Sequence, residues 1–561
     1  MQPDQLRSAN WNEDVFACLA TNGRIFIMDR LVYLLLLLPS VFLVGCKENK
    51  EIESHGVVYC VDTSIRELNP QLYGSTPVGS SLSHQLYDRL LTINPISQRL
   101  EGQLARKWNI SRDGLRYTFY LQKGIAFHTV PWFKPGRTMN ADDVLFSFNR
   151  ILDSSHPYHS VSGGHYPFFE RVGFDKQIST LKKIDDYTIE FVLKRPNAAF
   201  ISDLASDFAV ILSAEYATQL QLQQRQKQFD HLVVGTGPYL LGEIRSDEFI
   251  RMHANQNYWS QVPSLQRLVF DYTPKPTKRL AKLLTGECQV MANPAATQLA
   301  FIQNKADLTI DEENNLNTAY LALNTTKFPL SDLRIRRAMS AAINKENIVS
   351  AVYYTSGEST NNLLPPVSWA YNPNLPESNY DPAKARVLLQ DIHQGSTNIE
   401  LLVQLGSQTY NPNPFKTAQL IQADLAQIGI EVKITQLNGY LLRKRILTNN
   451  YDAILTGWNA ETVDPDNFLR PLLTCKTKQV VSYNYSGWCS PRFEQLLDEG
   501  ISTNNIAKRI EAYQEAQELI AQELPVIPIA HAMNIYATRK SLHNLEQTTM
   551  GGLSFKRAYR D

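Results

Sequence analysis

Long apolar runs are almost missing from this chain, and the single one present is too short to cross a membrane. It reads Leu31-Val32-Tyr33, five leucines, Pro39-Ser40-Val41-Phe42 and then Leu43-Val44-Gly45-Cys46. A hydrocarbon core of roughly 30 Å needs about 20 apolar residues in a row. A surplus of either charge is missing too, with Lys+Arg 55 against Asp+Glu 55. That balance excludes a basic footprint for nucleic acid and a polybasic attraction to anionic lipid. Cysteine is scarce, six in 561 residues, and no pair has the Cys-x-x-Cys spacing of a zinc or redox site. Enzymatic signatures are absent as well: no Gly-x-x-x-x-Gly-Lys-Ser/Thr phosphate loop, no His-Glu-x-x-His and no Gly-x-Ser-x-Gly elbow. Tandem repeats and low-complexity tracts are also lacking.

What is there begins with an address. A short apolar core closed by Leu-Val-Gly-Cys has the pattern of a processed bacterial lipoprotein signal, with Cys46 as the lipid-bearing residue. Met28 stands just ahead of it, so residues 1–27 read as an upstream extension, 28–46 as signal and the charged stretch 47–55 as a tether. Lys47 lacks the Asp that commonly retains lipoproteins in the inner membrane, which leaves inner and outer membrane both open. With Cys18 in the leader and Cys46 on lipid, four cysteines remain, and four allow three pairings. We expect Cys60–Cys288 and Cys475–Cys489, the second closing a loop of about 15 residues worth roughly 3 kcal/mol by loop entropy.

From Val57 onward strands and helices alternate, enough chain for about three domain-sized units. Tyr117–Leu121 alternates like a strand. Asn140–Leu152 reads as a helix, with Asn140 as cap, Asp142 and Asp143 at the positive end of the dipole, and Val144, Phe148 and Ile151 on one face. Asp381-Pro382 opens another helix. Thr417–Ile428 forms an amphipathic helix stopped by Gly429, and Ile430–Thr435 then alternates as a half-buried strand. The strand Tyr451–Leu455 runs into a loop at Gly457–Asp466. Helix, strand and loop in that order place ligand at loops that follow strands of an α/β sheet.

Three groups could carry chemistry. His156, His159 and His165 flank Pro157 and Gly163-Gly164, but they read as an exposed loop without the carboxylate that would complete a metal shell. Gly235-Thr236-Gly237-Pro238 reads as a tight turn, because Pro238 removes a donor that a phosphate would need. Glu461, Asp464 and Asp466 form the densest loop carboxylates. They could serve a glycosidase or recognise a cation, whereas Asp-Pro-Asp also starts helices; the cap is the stronger reading for Asp464 and Asp466, and Glu461 the better ligand residue.

Several of these segments together resemble the family-5 extracellular solute-binding proteins, the cluster C receptors of peptide ABC transporters. They are Leu104–Trp108, Ser111–Gly114, Tyr117–Phe119, Phe127-His128, Asn140–Val144, Gly235–Tyr239 and Leu321–Asn324. Within that family, Thr129–Phe133 and Leu284–Cys288 are similar to the Sap type. Asn69–Leu72, Val161–Gly164 and Tyr410–Asn413 are similar to the dipeptide receptors, where the cysteines pair as expected above. The resemblance implies a two-lobed α/β fold of the type II, cluster C periplasmic binding proteins, with an extra subdomain in the first lobe and a hinge. Lobe I is expected at 56–87, 236–314 and 533–561, the extra subdomain at 88–235 and lobe II at 315–532.

It also implies ligand roles. Glu461, three residues after Gly457-Trp458, stands where the dipeptide receptor holds the peptide α-ammonium with an Asp. Gln408 stands where that receptor takes the carboxylate with an Arg, so a charge-assisted bidentate pair is replaced by an amide. Gly74-Ser75-Thr76 would offer backbone groups to an extended peptide, and Tyr410 and Trp458 would flank its side chains. Asp464 completes the candidate set. The expectation is a monomeric, lipid-anchored periplasmic receptor that captures peptides, antimicrobial ones included, for an inner-membrane ABC permease, with no catalysis, no metal and no resident cofactor. The alternatives are haem carried as ligand on the same scaffold, with His128, His156 or a Tyr near iron, and a secreted hydrolase using Glu461 and Asp464.

Overall fold

The seam of the molecule is the strand Val526–Arg539, in a computed structural model that describes residues 56–64, 67–74, 76–94, 97, 99–376, 379–390, 392, 397–475 and 483–561. Cys46, the signal, the tether and Ser75 lie outside the described residues. The first half of the seam runs antiparallel to Asn317–Leu323 and its second half to Leu308–Asn314 and Val290–Ala292. Beyond Asn317–Leu323 come Ala453–Asn459, Thr397–Gln404 and Ile430–Leu437; beyond Val290–Ala292 come Gly56–Val61, Arg267–Tyr272, Phe249–Ala254 and Tyr239–Arg245. Parallel pairs such as Thr397–Gln404 with Ile430–Leu437 are joined by helices, here Pro414–Ala426, which makes the sheet α/β.

The apolar cores divide at this seam. One gathers Val57, Tyr59, Phe148, Phe191, Phe270 and Tyr536. Two others cover opposite faces of the strands on the far side, with Leu321, Ile399 and Ile527 in one and Tyr320, Ile454 and Phe468 in the other. Adjacent residues of one strand thus feed different cores, as the two-residue period requires. The result is the two-lobed α/β architecture that the resemblance implied. The first lobe carries a separate four-stranded antiparallel sheet, Ala105–Ile110, Arg116–Leu121, Thr188–Leu193 and Ile178–Asp185. Disulfides join Cys60 to Cys288 and Cys475 to Cys489, with Cα atoms 5.9 Å and 4.6 Å apart.

Local chemistry explains most boundaries. The helix Ala141–Leu152 has a full capping box, in which the Asn140 side chain accepts from the Asp142 N–H at 2.9 Å and Asp143 accepts from the Asn140 N–H at 2.9 Å. Val144, Phe148 and Ile151 are buried along its inner face. The helix before Gly429 starts at Pro414 rather than Thr417, because Asn413 caps it through the Lys416 N–H and Pro414 fits its first turn. Gly429 adopts a φ of 81°, which ends it. The strand expected at Tyr451–Leu455 runs instead from Ala453 to Asn459, since its pairing with Asn317–Leu323 continues as far as Asn459. Gly457 and Trp458 therefore sit on a strand and not in a loop. The Gly235–Gly237 segment is a close backbone approach: a Cβ on either glycine would collide with the carbonyls of Leu86 and Gln85.

Where the chain crosses between lobes, side chains stand in for a missing ladder. The Asn317 Nδ2 donates to the Ala532 carbonyl at 2.8 Å while its Oδ1 accepts from the Ala532 N–H at 2.9 Å. His531 Nδ1 donates to the Asn317 carbonyl at 2.8 Å, and Asn315 Nδ2 donates to Asn534 Oδ1 at 3.1 Å. His128 likewise holds the glycine segment, donating from Nε2 to the Gly237 carbonyl at 2.9 Å and accepting the Gly235 N–H on Nδ1 at 3.3 Å.

Burial pushes both imidazoles down to about 4. The folded state therefore binds fewer protons than the unfolded chain, whose histidines titrate near 6.5. Their stabilisation is complete above about pH 6.5 and drains as pH falls toward about 4, by about 3 kcal/mol per residue. Urea unfolding followed across that window should show the loss, and His531→Gln should remove part of the slope. A slope identical in variant and parent would rule this out for His531.

Candidate functional site

Two pieces of backbone build the site, the strand end Gly457–Asn459 and the turn Gln408–Asn411. Gln408 and Asn411 exchange backbone hydrogen bonds at 2.9 and 3.1 Å, which closes the turn. Asn459 Nδ2 ties it to the strand through Thr409 Oγ1 at 2.7 Å. The Tyr410 ring lies over Gly457 so closely that a Cβ there would overlap it. Tyr353 fixes the same residue by donating its hydroxyl to the Tyr410 carbonyl at 2.9 Å. Burial pushes the Tyr410 phenol above its ordinary range.

Past the strand, Asn467 orients two of the candidates. Its carbonyl accepts the Trp458 indole N–H at 2.9 Å and its side-chain Oδ1 accepts the Glu461 N–H at 2.8 Å. Glu461 is 4% exposed. Its carboxylate meets Arg171, from the short helix Pro167–Val172 of the first lobe, in a two-pronged pair: Nε donates to Oε2 at 2.7 Å and Nη2 to Oε1. Arg171 also reaches the Tyr483 hydroxyl at 3.4 Å and lies 6.0 Å from the centre of its ring. Tyr483 in turn meets Trp458 edge-on at 5.2 Å. Carboxylate, guanidinium and two aromatic rings thus converge where the lobes touch, and a backbone hydrogen bond from the Ala198 N–H to the Ile501 carbonyl at 2.7 Å also joins the lobes.

Asp464 has a different job. It is 2% exposed, accepts the Asp466 N–H at 3.1 Å and binds Arg509 Nη2 through both oxygens at 2.9 and 2.7 Å. Asp464 thus closes a turn just ahead of the helix Asp466–Leu473, whose N-cap, Pro465, has no side-chain cap bond, and its carboxylate is committed to Arg509 inside the lobe. Asp466 pairs with Arg470 Nε at 2.7 Å. Neither Asp464 nor Glu461 has the open carboxylate geometry a glycosidase pair needs.

Sequence reasoning missed Arg171, Asn467 and Asp203. Asp203 ends the short helix Phe200–Asp203, is 4% exposed, and its carboxylate has no hydrogen-bond partner among the described residues. Burial pushes its carboxyl well above the usual range, and the carboxylates of Asp464, Asp466 and Glu461 push it further. Nothing local marks these three residues; each acquires its role from a partner distant in the chain.

The remaining candidates lie apart. Gly74 is exposed with open space around it, and Thr76 spends its hydroxyl capping the helix Pro77–Leu86 through the Gly79 N–H at 3.0 Å. Among the described residues no hydrogen bond joins either to the Glu461 group. Asn69, five residues before Gly74, donates to Asp230 at 2.7 Å, and Asp230 is itself in the buried pair with Arg150. His128 has both ring nitrogens committed, and His159 Nδ1 is spent on the Arg150 carbonyl at 2.8 Å. Among the described residues no group of three metal-ligating side chains forms. A cavity of about 640 Å³ opens elsewhere, beside Lys345, whose ammonium burial pushes down to about 7.

Comparison with known proteins places this geometry. Residues 99–479 match the family described as bacterial extracellular solute-binding proteins, family 5 Middle. The chain is 39% identical over 511 residues, 91% of it and 93% of the relative, to the probable ABC transporter periplasmic-binding protein SapA of Escherichia coli (strain K12). It is 36% identical over 505 residues, 90% of it and 92% of the relative, to heme-binding protein A of Haemophilus influenzae. Its structure resembles that of a dipeptide binding protein from Pseudoalteromonas sp. SM9913 in complex with Met-Leu, with a TM-score of 0.79 at 38% identity, covering 90% of this chain and 100% of that one.

Removing Asp464 leaves Arg509 buried without its counter-charge. Asp464→Ala should lower the unfolding free energy by about 3–5 kcal/mol, and the double change Asp464→Leu with Arg509→Leu should recover most of it. Urea denaturation checks this; a single-variant loss below about 1 kcal/mol would return Asp464 to the ligand candidates.

Proposed function

Because the chain belongs to the family-5 bacterial extracellular solute-binding proteins, we propose that it captures peptides in the periplasm and delivers them to an inner-membrane ABC permease. The members of this family are solute-binding proteins and not enzymes, which agrees with a receptor that performs no chemistry. Lipid on Cys46 holds the chain to a membrane while its lobes work in the periplasm.

The observation that carries the reading is the Glu461 carboxylate, buried at the junction of the lobes, with Tyr483 and Trp458 beyond the Arg171 that it holds. A buried acid that takes a cation in front of aromatic rings suits a ligand with a cationic head and variable side chains. Gln408 is the second support: an amide there gives no ion pair to the far carboxylate, so ligand length is not dictated by a fixed distance between two charges. Longer peptides, antimicrobial ones among them, then fit the same clamp. Haem on this scaffold is the second reading, favoured by the likeness to heme-binding protein A of Haemophilus influenzae. His128 offers it no iron ligand, since both ring nitrogens hold the Gly235–Gly237 segment.

Mass spectrometry of ligand released from the purified chain should find peptides; a Soret band without peptide masses would select haem instead. Amidating the C-terminus of a bound tripeptide should change its dissociation constant less than about threefold, because Gln408 has no charge to lose. A loss of about a hundredfold would mean that another cation reads the carboxylate. For the anchor, Cys46→Ala should move the protein from the membrane fraction to the soluble periplasmic fraction, and unchanged membrane association would exclude lipid at that residue.

A further inference from the structure

The Glu461 carboxylate, read above as the anchor for a ligand ammonium, already holds a cation of the protein's own. Arg171 contacts both of its oxygens, and both side chains are largely buried, 15% and 5% exposed. The guanidinium is further held by the Tyr483 hydroxyl and ring face. Trp458 packs edge-on against that same ring, so Arg171 occupies the space between the acid and the aromatic wall.

A planar guanidinium on a carboxylate satisfies it with two parallel hydrogen bonds, more than a single ammonium supplies at the same two oxygens. The partners come from different lobes, 290 residues apart in sequence. An entering α-ammonium therefore gains only the difference between its own bond to Glu461 and the pair it breaks. A ligand without a free ammonium at that place leaves the pair intact and loses nothing.

We propose that Arg171 is a specificity-determining residue, a resident occupant of the ammonium site. It widens the ligand class from peptides with a free N-terminus to peptides whose N-terminus is blocked or lies elsewhere in the cleft. This rests on the reading of Glu461 as the peptide anchor. The neighbouring charges do not replace Arg171 in this role. Arg509 is spent on Asp464 and Arg470 on Asp466, and Asp203, across the junction, brings no positive charge to Glu461.

The test is calorimetric titration of the full chain and of Arg171→Met, which keeps the apolar stem, with Ala-Ala-Ala and with N-acetyl-Ala-Ala-Ala. Arg171→Met should bind the free tripeptide at least about tenfold tighter, a change of about 1.4 kcal/mol. Its affinity for the acetylated one should stay within about threefold. Unchanged or weaker binding of the free tripeptide by the variant, where the parent binds it, overturns the role of Arg171 and leaves peptide capture standing. Failure of both proteins to bind either peptide overturns the peptide reading and this one with it. Should Arg171→Met misfold, nitrogen NMR of the parent decides. The Arg171 Nε–H signal should move on saturation with Ala-Ala-Ala and stay with the acetylated peptide, and a signal unmoved by the free peptide overturns the proposal.

Discussion

Val526–Arg539 gives its first half to one lobe and its second half to the other, so any motion between them must pass through the few residues where the pairing changes hands. A backbone group left unpaired there and away from water costs about 1–3 kcal/mol. The chain meets that demand with the Asn317 amide, which offers Ala532 a donor and an acceptor in the geometry of a peptide bond. A side chain can keep those bonds while its own backbone turns, which a strict ladder cannot. His531, neutral and bonded to the Asn317 carbonyl, completes the arrangement without adding a charge to the crossing. Large changes confined to a few element ends are how two-lobed proteins close.

At the junction the lobes meet through charge. Glu461, Asp464 and Asp466 lie within one short stretch after the strand, and each has its own arginine: Arg171, Arg509 and Arg470. Packing three carboxylates so closely in a poorly solvated place is tolerable only because the guanidinia alternate with them. Among the described residues Asp203 has no arginine, and burial beside three acids pushes its carboxyl well above the usual range. Two of the pairs are internal to the second lobe and stabilise it alone. Only Arg171–Glu461 crosses, so only that pair depends on how far the lobes have closed.

Sequence patterns revealed what is local. The Asn140 cap, the apolar stripe Val144–Phe148–Ile151 and the stop at Gly429 each depend on residues within a turn or two, and their spacing expresses the physics directly. At Gly235–Gly237 the expected tight turn is instead a stretch of backbone pressed against Gln85 and Leu86, a contact too distant in the chain to be read locally. The strand end at Asn459 was misjudged because pairing with Asn317–Leu323, far away in the chain, carries it past Leu455. The candidate site was legible only in part. Trp458, Glu461 and Tyr410 gather at one place, whereas Gly74 and Thr76 share no hydrogen bond with them. Arg171 escaped notice because a lone Arg after Phe168-Phe169-Glu170 has no local signature; its meaning comes from a carboxylate in the other lobe.

That crossing pair also sets the terms on which a ligand can close the clamp. A ligand shifts the balance between open and closed forms only by what it gains in the closed one beyond the open. Where the anchor acid is empty before binding, the whole ammonium–carboxylate interaction counts toward closure. Here Arg171–Glu461 already joins the lobes, so on the proposed reading of Glu461 a cationic head contributes only the surplus over that bond. On the proposed reading of Glu461, closure is driven mainly by the parts of the ligand that neither lobe supplies for itself, its backbone groups and the side chains proposed to lie against Tyr410 and Trp458. A clamp built this way reads the body of its ligand more than its end.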